Sequence, residues 1–130
     1  MRTAELTGAA LDWAVAKADG KTPKIDCTSF QSAFTYRIYL GLSYAYHSSG
    51  SIVEYRPSAK WAKGGPIIER EKITLNYDNC GPTLLWEAKH FAFDGTELQC
   101  EYGQTPLIAA MRCYVASKLG DIVEIPRELQ

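Results

Sequence analysis

Apolar residues follow two different periods along this chain, and the switches between them mark the predicted elements. Leu6, Ala10, Leu11, Ala14 and Val15 recur at helical spacing, with Trp13 at the edge of their stripe. Thr7 is an N-cap type and Gly20 a helix terminator, so the spacing predicts a first helix over 7–18. From Phe34 to Tyr46 the period drops to two: Phe34, Tyr36, Ile38, Leu40, Leu42, Tyr44 and Tyr46 are apolar, while Thr35, Arg37, Gly41 and Ser43 intervene. Such alternation predicts a long strand with one buried and one wet face, bent or bulged at Gly41. The helical period returns in Leu107, Ile108, Met111, Tyr114, Val115 and Leu119. Thr105 suits the N-cap of that helix, Pro106 its first position and Gly120 its C-cap. Ile122, Val123 and Ile125 then predict a short strand ended by Pro126.

The stretches between these elements are less regular. Asp19–Asp26 is polar and turn-forming, and Ser48-Ser49-Gly50 predicts a turn into a strand over Ile52–Tyr55. Two prolines and two glycines in Arg56–Pro66 (RPSAKWAKGGP) predict a structured loop, after which Ile67–Tyr77 resumes extended chain. Asp78–Pro82 reads as a turn. Leu84–Phe93 and Leu98–Tyr102 read as a hairpin around Asp94-Gly95, the strongest two-residue hairpin signal present. The order implies an α+β class: an antiparallel meander sheet of about five or six strands, with an N-terminal and a C-terminal helix packed on one side. Residues 1–130 are expected to form a single domain.

Composition narrows the function. A formal net charge of −1 provides no basic field and excludes general nucleic-acid binding. Met1–Thr7 carries no secretory pattern, and no apolar run approaches membrane length, so a cytoplasmic protein without a membrane partner is expected. Cys27, Cys80, Cys100 and Cys113 are scattered, with only His47 and His90 to help, so no metal site is expected. Cys113 reads as a small core residue. Gly20-Lys21-Thr22 lacks the upstream glycine and the preceding strand of a phosphate-binding loop, and reads as a helix stop. No nucleophile elbow exists, and the Glu69/Glu71 pair, on one face if extended, reads as ordinary sheet charge. No catalytic residue is singled out and no cofactor is implied.

Two segments have the composition of a site. Tyr55, Arg56, Ser58, Lys60, Trp61, Lys63, Gly64 and Gly65 combine aromatic faces, cations and glycines. Such residues stack a base, pair phosphates and expose backbone N–H groups to a nucleotide-like ligand. The competing expectation is that Trp61 folds down as a plug over the sheet and the lysines are merely solvated. The tyrosine-rich strand offers Arg37, Tyr39 and Tyr44 as a protein interface, Arg37 and Tyr39 being expected to lie exposed opposite Tyr36. Its alternative is a half-buried sheet face.

Three stretches carry a resemblance. ELTGAALDWAVAKADG (Glu5–Gly20), PSAKWAKGGPIIERE (Pro57–Glu71) and GQTPLIAAMRCYVASKLGDIVEIP (Gly103–Pro126) resemble the NinX-like family of small bacteriophage and prophage proteins. The resemblance implies a phage or prophage origin and the cytoplasm of an infected bacterium, and it brings no catalytic set. The resulting expectation is a small phage binding protein that sequesters a nucleotide-like signal of host defence. The alternatives are a protein that modulates a host or phage protein through the aromatic hairpin, and a small hydrolase or nuclease. Sheet edges leave homo-oligomer formation as a further expectation.

Overall fold

The computed structural model describes residues 1–40, 54–79 and 84–130. Its elements run α1 (Gly8–Ala18), β1 (Pro23–Phe30), β2 (Ala33–Leu40), α2 (Trp61–Glu71), β3 (Thr74–Tyr77), β4 (Trp86–Phe91), β5 (Glu97–Gly103) and α3 (Pro106–Leu119).

α3 forms as its sequence predicts. The Thr105 hydroxyl accepts the Ile108 N–H at 3.1 Å, Pro106 sits in the first turn, and Gly120, at φ 92°, leaves the helix. The helix is buried on nearly every side through Leu107, Ala109, Ala110, Met111, Cys113, Tyr114, Val115 and Ala116. A helix apolar all round belongs in the middle of a protein, and α1, α2, β4 and β5 pack against this one. Its half-buried Arg112 is satisfied by carbonyls, Nε donating to Leu6 at 2.9 Å and Nη1 to Tyr102 at 2.7 Å.

The strands form two antiparallel sheets. β3, β4 and β5 make one, with fully buried Ala88 opposite Leu75 and Glu101. The predicted β4–β5 hairpin is present, with Gly95 at φ 88° and the Asp94 carboxylate accepting the Thr96 N–H. Gly103 lets α3 cross closely, since a Cβ there would lie 2.6 Å from the Ala109 nitrogen. β1 and β2 make a separate ribbon turned by Gln31-Ser32, both at positive φ, the signature of a tight hairpin turn.

The class is therefore α+β, but among the described residues the single meander of five or six strands is replaced by sheets of two and three strands with three α-helices. Three local readings change with it. β1 occupies much of the expected polar turn; it is exposed along most of its length, so no alternation betrays it. α2 replaces the second half of the loop over 56–66, whose residues 56–60 stay non-helical, and the start of the extended chain, and places Glu69 and Glu71 on a helix. Gly64 explains why helix wins there: a Cβ would fall 2.5 Å from Leu107 Cδ2 and from the Pro57 carbonyl oxygen, so only glycine lets α2 seat against α3. Lys72, in the left-handed region at φ 55°, ends it. The expected strand over 122–125 is reduced to one bridge, Arg2 with Ile122, although Val123 and Ile125 are buried. The second half of the long predicted strand, the turn at Ser48-Ser49-Gly50 and most of the turn before Leu84 lie outside the described residues. Glu54–Arg56 is not a strand, but the Tyr55 N–H donates to the Ile38 carbonyl at 2.7 Å.

The three helices are tied at one end by a polar knot. Asp19, just past α1, accepts from the Tyr114 hydroxyl and from Arg70 Nη2, each at 2.9 Å. Glu71 joins the knot through Arg70 at 3.0 Å and Lys118 at 3.3 Å. Burial pushes the Asp19 carboxyl up, but Tyr114, Arg70 and Lys21 together hold it below the usual carboxylate range.

Gly64→Ala is expected to destabilise the protein by about 1–3 kcal/mol through overpacking. Gly65→Ala, whose Cβ meets nothing beyond its chain neighbours nearer than Trp61 Cε3 at 3.8 Å but stands directly before Pro66 in the helix, is expected to cost less than Gly64→Ala. Tyr114→Phe, which takes one donor from Asp19, is expected to lose about 1–2 kcal/mol. Urea denaturation of the three variants checks these values.

Candidate functional site

The segment from Glu54 to Gly65 does not converge on one point; it sends its side chains in three directions. Tyr55 and Ser58 turn inward, at 4% and 7% exposure. Burial pushes the Tyr55 phenol up to about 12, and Lys21 lies over its ring at 5.5 Å. Gly64 is buried for packing, and Gly65 is half-buried. Lys60, Trp61 and Lys63 turn outward at the start of α2. Trp61 is 55% exposed and lies over Gly65, so the expected indole plug does not form.

Arg56 takes the third direction, into a cleft of about 220 Å³ between the start of α1, β2 and Glu54. Arg37 lines the same cleft from β2, so a residue expected in a ligand loop and one expected in a protein interface face one space. Arg56 Nε pairs loosely with Glu54 at 3.6 Å. Tyr39, expected to be exposed beside Arg37, is instead buried at 9%. The ribbon enters the core at that point, with Ile38 at 1%, so both of its faces are covered there. Tyr44 lies outside the described residues.

Asp12 is the participant that sequence reasoning missed. It stands on α1 between Leu11 and Trp13, is 3% exposed, lines the cleft, and accepts the Ser58 N–H at 2.9 Å. An acidic residue set within an apolar helical stripe was the available signal. Burial raises its carboxyl from 3.8 to about 6, opposed by the hydrogen bonds from Ser58 and by the charge of Arg56. The pairing pins the segment to α1 and places a proton-sensitive group against the arginines.

Other chemistry is sparse. Among the described residues no three His, Cys, Asp or Glu side chains gather as a metal site. Cys27, Cys100 and Cys113 are unpaired, and burial pushes the Cys113 thiol up to about 12, as suits a core residue. His90 lies on β4, with a buried Nδ1 that has no hydrogen-bond partner among the described residues. A wider groove of about 490 Å³ runs past Trp13, Lys17, Leu119 and Pro126. Among the described residues no helix is long and apolar enough to cross a membrane.

The model of the family described as Bacteriophage P22, NinX matches residues 2–118. The chain belongs to that phage family. No curated protein matches the sequence. The NinX match takes in α1, β2, the Glu54–Gly65 segment and α2, so both walls of the cleft lie within family sequence.

Asp12 gives a measurable consequence. Between about pH 4 and pH 6 the folded protein holds a proton on Asp12 that the unfolded chain releases, so this group makes stability fall as pH rises. The whole effect is up to about 3 kcal/mol. Asp12→Asn keeps an acceptor for Ser58 and removes the titration. Its stability relative to the parent is expected to improve from pH 4 to pH 7, as read by urea denaturation at both values.

Proposed function

We propose that this phage protein works by binding rather than by chemistry, holding a nucleotide-like small molecule in the cytoplasm of the infected bacterium. Sequestration of a host defence signal is the role this reading assigns to it. What supports the reading above all is Trp61, an indole left 55% exposed on the first turn of α2 with exposed Lys60 and Lys63 beside it. An exposed indole offers a stacking face that every nucleobase fits, and lysines beside it favour phosphate. Membership of a phage family supports the setting.

A second reading, modulation of a host or phage protein, draws on a different observation. The tip of the β1–β2 ribbon exposes Phe30 at 72% and Phe34 at 65%, one on each face, and exposed aromatics mark interaction surfaces. This moves the interface from Tyr39 towards the ribbon tip. A homo-oligomer is compatible with either reading.

Native mass spectrometry with a panel of cyclic dinucleotides and ADP-ribose derivatives tests the first reading. A stoichiometric adduct is expected, lost in Trp61→Ala while the unfolding midpoint stays within the range of surface substitutions. A bare protein with every panel member would overturn it and favour the ribbon-tip partner.

A further inference from the structure

The Arg37–Arg56 cleft is separate from the exposed Trp61 and has its own chemistry. Two arginines line it from different elements, Arg37 from β2 and Arg56 from the segment ahead of α2. Among the described residues Arg37 makes no ion pair or hydrogen bond. Arg56 uses only Nε, at 3.6 Å from Glu54, well beyond the roughly 2.8 Å of a tight charge-assisted pair. Both guanidiniums therefore retain planar donor edges, the geometry that grips a tetrahedral oxyanion.

The remaining walls suit the same guest. Gly8 and Ala9 line the cleft, and their first-turn N–H groups have no acceptor within the helix; Thr7 does not cap them with its side chain. These amides add to the arginine pair and would not make a site alone. Two carboxylates oppose an anion. Asp12 stays bonded to Ser58 and keeps its charge against the guest near neutral pH, whereas Glu54 is half-exposed and held only by the loose Arg56 contact. Glu54 is thus a built-in competitor that a stronger anion displaces. A volume of about 220 Å³ admits one such group and a small attachment.

From the arginine pair and the cleft we infer a binding site for a phosphate-type dianion, carried on a small ligand or free. It stands independently of the nucleotide reading, because its occupant is recognised by the oxyanion alone. Sulfate, methyl phosphate and inorganic phosphate are titrated into the full chain labelled with nitrogen-15, following backbone amides and arginine Nε–H signals. Saturable shifts are expected together at Gly8, Ala9, Arg37 and Arg56. Arg37→Gln, an exposed position, is expected to weaken binding about tenfold, and Glu54→Gln to tighten it severalfold by removing the competitor. Arg127→Gln, which does not line the cleft, controls for overall charge. Absence of saturable shifts at Gly8 and Ala9 overturns the site, as does equal weakening by Arg127→Gln and Arg37→Gln. Methyl phosphate binding more tightly than inorganic phosphate supports a carried group, and the reverse supports the free anion. Both results keep the site, and neither bears on whether Trp61 binds a base.

Discussion

Keeping α3 dry is the constraint on which the rest of the molecule depends. Its buried residues come from all around the helix, so it has no solvent side to spare and must be enclosed by elements from every part of the chain. Closure needs short distances. Gly64 and Gly103 supply them, one where α2 meets Leu107 and the other where β5 passes under Ala109. Enclosure also needs the few polar groups on α3 to find partners inside. Arg112 spends its donors on the carbonyls of Leu6 and Tyr102, and Tyr114 gives its hydroxyl proton to Asp19. A buried donor left unpaired is costly, so these contacts fix where the neighbours sit as well as hold them.

That arrangement explains which parts of the fold were legible in the sequence. α3 and the β4–β5 hairpin carry local signals, a cap and an Asp-Gly turn, that agree with their surroundings, and α1 is legible through its apolar stripe although Thr7 makes no side-chain cap bond. α2 does not. Gly64, Gly65 and Pro66 read as a turn because their local preference is for one, and the helix exists because a close seat against Leu107 outweighs that preference. β1 failed for the opposite reason: a ribbon wet on most of its surface needs no apolar alternation, only a partner strand and the Gln31-Ser32 turn. The two-sheet layout follows from both, since α2 occupies chain that a continuous meander would have used.

The candidate site divides along similar lines. The residue types in Tyr55–Gly65 were legible, but their directions were not. One short segment puts a tyrosine and a serine into the core, an arginine into a cleft and an indole into solvent. Arg37 and Arg56 share that cleft only because Tyr55 hydrogen-bonds to Ile38 and lays the segment along β2. Asp12 was hidden in a helix whose other inward residues are apolar, and its partner Ser58 lies 46 positions away. Long-range pairings of this kind leave no trace in local periodicity.

The stretch ahead of α1 is clasped to the stretch that follows α3. The Met1 ammonium donates to the Val123 carbonyl and the Thr3 hydroxyl to that of Gly120, across 122 and 117 positions respectively. Thr3 and Leu6, both fully buried, lock the approach to α1 through these contacts. The contacts that hold the approach to α1 thus come from chain more than a hundred positions further on. Closing a loop of that length costs entropy that no local contact offsets, so α1 is locked in its final seat by the neighbourhood of α3 rather than by its own sequence neighbours.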